Sequence, residues 1–320
     1  MRIHKSIPLL LLALFCAAPI GCKKKDAAVT EEIAVHPWQG ELIDILPTTY
    51  RGWIYVDIAS MRDQPRIGAL LDSFIQYAPD AFSIALLRGD EVLFGLPEDP
   101  NGETLSIVRS EYISPELRAN IQRGMIQGSE TPSESDTLAG HRVSRNEAGT
   151  QWMAAPAPNL LISGGKPAVT QTLQHLARAK AAPGKQAGAA VVFSLPFDIE
   201  PYPFLQPLLE QPAVREQARA IERVQGAIRV DKTLEFSAHF TMPKGGEPDS
   251  AAVLFAMFVE HSLPPLLSTW LNPELAGWFS RQFVIESNDD ARSRGVIVRA
   301  ALDAKAMDLV LTLIEELADE

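Results

Sequence analysis

Beyond residue 22 the chain contains no cysteine; the two it has are Cys16 and Cys22. An internal disulfide and a cysteine nucleophile are therefore excluded from everything downstream. Histidine is sparse as well. His36, His141, His175, His239 and His261 are scattered, and none has a second histidine three or four residues away, so zinc-ligand spacing is missing. A G-x-x-x-x-G-K-[ST] phosphate loop, a G-x-G-x-x-G turn and a G-x-S-x-G nucleophile elbow are all absent. Positive charge is short: 29 Lys and Arg stand against 40 Asp and Glu, and no basic stripe carries interleaved aromatics. A chain of net charge −11 repels phosphate backbones, which argues against nucleic-acid binding. The N-terminal apolar run, Ile7–Ala18, falls short of the roughly 20 residues needed to span a bilayer.

That run is preceded by a basic start, Met1–Lys5, and followed by Ala18-Pro19-Ile20-Gly21-Cys22. A charged start, a short apolar core and a small residue at the cut are the parts of a secretory leader. The last five residues resemble the lipobox of bacterial lipoproteins, with Gly21 at the small position and Pro19 where that family usually has leucine. The resemblance implies that residues 1–21 are a signal peptide and that Cys22 is the site of lipid attachment, carrying palmitate-type acyl chains. It covers the leader and lipobox alone. Loss of Arg2 and Lys5 with the leader would take the net charge from −11 to −13. Residues 22–45 are expected to be the lipidated cysteine and a flexible stalk, small and polar over 26–36, with Lys23, Lys24 and Lys25 beside the headgroups. Lysine after the cysteine implies, by the enteric rule, an outer-membrane lipoprotein facing the periplasm.

The rest reads as α+β, with antiparallel sheets, helices on one face and two tandem repeats, 46–183 and 187–320. Gly52–Ile58 is a strand by its β-branched and aromatic content, and Asp63-Gln64-Pro65 opens a helix with Ile67, Leu70, Leu71 and Phe74 on one face. Ala81–Leu87 and Glu91–Leu96 suggest a hairpin about Arg88-Gly89-Asp90. Pro115 begins a helix with Leu117, Ile121 and Met125 inward. His141–Arg145 and Thr150–Ala155 form a hairpin, then strand Leu160–Ser163 and a helix bearing Val169 and Leu173 follow. After a small, turn-rich stretch at 178–188 the order restarts. Strand Ala189–Leu195 precedes a helix around Leu205 and Leu208, a hairpin about Asp231-Lys232, and a helix from Ser250 to Ser262. Strands Gln282–Ser287 and Val296–Leu302 and a last helix from Lys305 complete the order. A shift of 138 residues brings Pro65 onto Pro203, Leu71 onto Leu209, Ala168 onto Ala306 and Leu173 onto Leu311.

Chemistry is harder to find. Ser163-Gly164-Gly165-Lys166 spells the S-x-x-K of penicillin-recognising enzymes, but two glycines and Pro167 put a turn where that geometry needs a helix, and no K-T-G occurs. Glu98, Asp99, Asn101 and Glu103, and Asn288-Asp289-Asp290, supply oxygen ligands without calcium-loop spacing. No catalytic residue, metal site or cofactor is expected. Ala251–Val259 is apolar around its whole circumference, which predicts a helix covered on both sides. With the proline-broken aromatic segment after it, an apolar binding surface lined by Phe255, Phe258, Trp270 and Trp278 is the candidate site.

The expected function is a lipid-anchored envelope module, non-enzymatic, binding a protein partner or an apolar ligand. Two alternatives stand beside it: an envelope hydrolase whose carboxylate pair assembles only in three dimensions, and a structural assembly subunit.

Overall fold

A computed structural model describes residues 37–77, 88–97, 103–111, 113, 115, 135–145, 149–178, 189–197, 216, 219–231, 233–268, 273–290, 293–304, 306–308 and 312. Twelve strands form one sheet, antiparallel at every neighbouring pair. They are β1 (Gly52–Asp57), β2 (Glu91–Leu96), β3 (Leu105–Arg109), β4 (Ser135–Leu138), β5 (His141–Arg145), β6 (Trp152–Ala157), β7 (Leu160–Gly164), β8 (Val191–Pro196), β9 (Arg223–Val230), β10 (Leu234–Thr241), β11 (Phe283–Asn288) and β12 (Gly295–Leu302). The spatial order is β11-β12-β10-β9-β8-β1-β2-β3-β7-β6-β5-β4. The two halves of the chain thus meet at the centre, where β8 pairs with β1 from Trp53↔Ser194 to Val56↔Val191. Outward from that seam each half runs first, second, third, last and penultimate strand, and the first half adds the β4–β5 hairpin.

The helices divide between the faces. One face of the first half carries Leu93, Ile107, Leu160 and Ile162. It is covered by a 3-10 turn, Leu42–Ile45, and by α3 (Lys166–Leu176) through Val169 and Leu173. The other face carries Val92, Val108, Met153 and Leu161 and is covered by α1 (Ile58–Arg62) and α2 (Pro65–Tyr77) through Ile58, Ile67 and Leu71. The expectation of helices on one face is therefore corrected for this half. The reason is visible in β7, where all five residues are buried: a strand covered on both sides has no polar face to show.

In the second half α4 (Pro248–Met257) covers the α2 side of the sheet, packing Ala251, Ala252 and Phe255 on Phe240, Val296 and Val298. A π turn, Phe258–Ser262, then leads into α5 (Leu263–Leu267). The Leu263 N–H reaches back to the Phe258 carbonyl, and this wider turn carries the helical path into Pro264 and Pro265, which have no N–H to give. The expected break at the prolines is a bulge instead. α6 (Pro273–Ser280) closes the segment before β11. After β12, Met307 packs against α1 and α2, and Arg66 donates to the Asp308 carboxylate at 2.7 Å. In chain order these helical residues stand where α3 stands in the first half, yet they lie on the opposite face.

Two further corrections follow. β2 is bonded by β1 on one flank and β3 on the other, so Glu91–Leu96 cannot form a sheet hairpin with Ala81–Leu87, which lies outside the described residues. Residues 38–45 are not stalk. Leu42 and Ile45 are fully in the core, and Asn159 clasps the backbone of Trp38 from both sides, accepting its N–H at 2.7 Å and donating to its carbonyl at 2.8 Å. The helices expected around Leu117 and Leu205 lie outside the described residues.

Gly226 shows how tightly the seam is packed. A Cβ there would fall 2.4 Å from the Phe193 ring and 2.5 Å from the Ser237 carbonyl oxygen. Gly226→Ala is expected to destabilise the fold by about 1–3 kcal/mol, the usual cost of overpacking. Combined with Phe193→Ala it should cost clearly less than the sum of the two single changes, as a denaturant double-mutant cycle would read; strict additivity would show the ring is not what the glycine accommodates.

Candidate functional site

Among the described residues, the helices of the second half cover one face of its sheet. β9 and β10 alternate along their length: Val224, Gly226 and Ile228, like Phe236, Ala238 and Phe240, point toward α4 and the central core. Arg223, Gln225, Ala227 and Arg229, and Glu235, Ser237 and His239, point the other way. Among the described residues no helix lies on that second face. α3 and the 3-10 turn cover its continuation in the first half, and the helical residues after β12 have gone to the other side.

The bare face is mixed in chemistry. Ala227, Arg229, Glu235, Ser237, Val284 and Arg299 line a shallow depression of about 270 Å³. Val284 is 54 % exposed, a large apolar side chain left in solvent at the outer strand. Arg299 donates to Glu286 at 2.6 Å across β12 and β11. Nearer the seam, Ser194 is buried and accepts from Arg223 at 2.7 Å and Gln225 at 3.3 Å, while Arg223 also reaches the Arg51 carbonyl of the first half. His239 Nε2 is buried without a hydrogen-bond partner. Paired charges around small side chains, with one exposed valine, suit contact with another macromolecule and offer no nucleophile held against a base.

Three of the four aromatics expected to line an apolar surface lie within the described residues. Phe255 belongs to the core, its ring 4.5 Å from that of Phe240. Phe258 opens the π turn and Trp278 sits in α6, both half-buried. Trp270 lies outside the described residues, as does Cys22. The prediction that α4 is covered on both sides is corrected. Val253 and Met257, one helical turn apart, are 59 % and 47 % exposed. A run apolar all round has no polar residue to mark its outer side, so the sequence hides which side that is.

The remaining motifs resolve into structure. Ser163 is buried in β7 with its hydroxyl accepting from Gln151 at 3.2 Å, and Lys166 begins α3 with its ammonium 4.8 Å from the centre of the Trp152 ring. In the second acidic cluster Asn288 donates to the Ser293 carbonyl at 2.7 Å and Asp289 pairs with Arg294 at 2.5 Å, so those groups fasten the β11–β12 turn. Glu98, Asp99 and Asn101 lie outside the described residues. Among the described residues no group of three metal-ligating side chains converges, and no Asp or Glu is fully buried.

No protein-family model matches the chain, and no curated protein matches it. A solved structure described as "Structure of crystal form I of TP0453" is similar, with a TM-score of 0.48 and 11 % identity, covering 86 % of this chain and 99 % of that one. A likeness at that level carries no argument about function.

In and just before β1, two phenols are shielded. The Tyr50 hydroxyl donates to the Glu103 carbonyl at 2.9 Å, and its pKa is pushed up to about 12, first by burial and then by the Glu103 charge. Tyr55 is raised further by burial, with Glu91 and Asp57 adding to it. A phenol whose folded pKa lies above its unfolded value of 10.0 lends stability below pH 10 that is lost as pH rises towards 12. Alkaline unfolding should therefore set in over that window, together with late-titrating tyrosinate absorbance. Tyr50→Phe should weaken the alkaline limb, and an unchanged limb would show that Tyr50 contributes nothing to it.

Proposed function

We propose that the protein is a lipid-anchored, non-enzymatic binding module of the bacterial cell envelope, which offers the bare face of its second half to a protein partner. The observation that carries this is the asymmetry of the sheet among the described residues: helical cover on both faces in the first half, and a mixed face on β9–β12 over which no described helix lies. A protein partner fits better than an apolar ligand, because the depression on that face is shallow and ringed by Arg229, Glu235 and Arg299. The lipobox at Cys22 supports the anchor, and Lys23–Lys25 support a headgroup contact; both suit an outer-membrane protein facing the periplasm. From Cys22 to Trp38 the chain spans at most about 3.3–3.6 Å per residue, which sets an upper limit on how far the body stands from the bilayer. We also read 46–183 and 187–320 as a tandem duplication, supported by the matching outward strand order and by α3 beginning at Lys166, 138 residues before helical Ala304. Profiles built separately from homologues of the two halves should match each other if so, and fail to match if not.

The binding reading is tested in cells with a photo-crosslinking amino acid at Ser237 or Ala227, on the bare face, and at Asp249, exposed at the start of α4. Discrete protein adducts from the first two positions and none from the third are expected, with acyl labelling lost in Cys22→Ser. Adducts at all three positions alike, or at none, would sink the docking face; acyl labelling that survives in Cys22→Ser would sink the anchor.

A further inference from the structure

The two ends of the sheet are unlike. β4 is four residues long, with Asp136 and Thr137 exposed, and the Thr137 N–H is already taken by the Asp136 carboxylate at 2.7 Å. Short length and an acidic side chain are devices that keep a sheet edge from pairing with another chain. β11 is longer, at six residues, and its one acidic side chain, Glu286, is already paired with Arg299 of the same chain. It runs Phe283-Val284-Ile285-Glu286-Ser287-Asn288 without proline, lysine or bulge, in unbroken register with β12. Among the described residues the backbone of Phe283–Ser287 makes no hydrogen bond outside that ladder, which leaves the outward N–H and C=O groups of this edge to pair. Val284 stands 54 % exposed on it.

We propose that β11 pairs antiparallel with β11 of a second copy of this chain, about a twofold axis normal to the sheet, which joins two sheets into one. Such an axis keeps each face on its own side, so residues opposite one another must share a face. Centring on Val284 meets this rule: Val284 lies opposite Val284, Phe283 opposite Ile285, and Gln282 opposite Glu286. Centring on Ile285 would set Val284 against Glu286, an apolar side chain against a carboxylate. The charges agree with the first register. Arg281, exposed at the entrance to β11, makes no ion pair among the described residues, while Asp289, which pairs with Arg294 of its own chain, and Asp290 follow the strand's end. An antiparallel pair brings Arg281 of each copy beside the acidic end of the other. Glu286 is neutralised by Arg299 within its own chain, so the copies do not meet with free like charges at the strand centre. This dimer is independent of whether the bare face takes a partner.

The test uses the full chain, detergent-solubilised from membranes, with mass measured by light scattering. A dimer is expected, becoming a monomer in Val284→Lys while circular dichroism is unchanged, since the side chain is largely in solvent. Val284→Cys should give a disulfide-linked dimer under mild oxidation, and Glu286→Cys, two positions from the axis, should not. A monomer in the unmodified protein would overturn the proposal, as would a dimer mass indifferent to Val284→Lys. Cross-linking through Glu286→Cys but not Val284→Cys would overturn the register. Capture of a foreign strand in place of a second copy would appear as a monomer of this chain in a mixed complex, and would also overturn it.

Discussion

The ladder between β1 and β8 holds the molecule together. β8 opens the second half of the chain, yet its partner is the first strand of the first half, across Trp53↔Ser194, Ile54↔Phe193, Tyr55↔Val192 and Val56↔Val191. The backbone continues the seam with Asp57 N–H donating to the Ala190 carbonyl at 2.8 Å, and Arg223 crosses it to the Arg51 carbonyl. Ile54 and Phe193 are both buried and share one cluster with Ala238, so neither half can separate without exposing apolar surface of the other. Because the first strand of each half meets at the centre, the later strands lie farther out, and β4 and β11 become the rims.

That arrangement explains where the surface is open. In the first half the N-terminal segment is drawn across the sheet by Asn159 and by Arg109, which donates to the Gly40 carbonyl at 2.5 Å and pairs with Glu91. With α3 it seals one face, while α1 and α2 seal the other. In the second half the described residues after β12 turn toward α2, held by Arg66, and do not lie over the second face of their own half. The alternation in β9 and β10 is the sequence counterpart of this: a strand covered on one side keeps polar residues on the other.

Much of the strand content was legible because β-branched and aromatic residues cluster in β1, β8, β10 and β12, and the β9–β10 and β5–β6 hairpins stand on their turns. The pairing was not. β2 reads as half of a hairpin from its neighbours in sequence, but both of its edges are occupied by strands that sequence proximity does not indicate. β3 and β4 are short and carry too little apolar periodicity to stand out. The mix of faces was hidden for a related reason: once β7 is buried on both sides it shows no alternation from which a cover could be counted. Hydrophobicity in Ala251–Val259 does not separate Phe255, which packs on the core, from Val253 and Met257, which do not. The period-two alternation of Arg223–Val230 and Leu234–Thr241 was the available signal for the bare face.

The functional reading depends on the seam, since a rigid open face on β8–β12 exists only if those strands are held by the first half. Native-state amide exchange along β1 and β8, followed through a denaturant series, measures this directly. Ile54, Tyr55, Val192 and Phe193 should fall in one slow class that opens only with the whole molecule. Amides of β8–β12 opening at a distinctly lower free energy, while β1 stays protected, would show two independent halves and contradict the account.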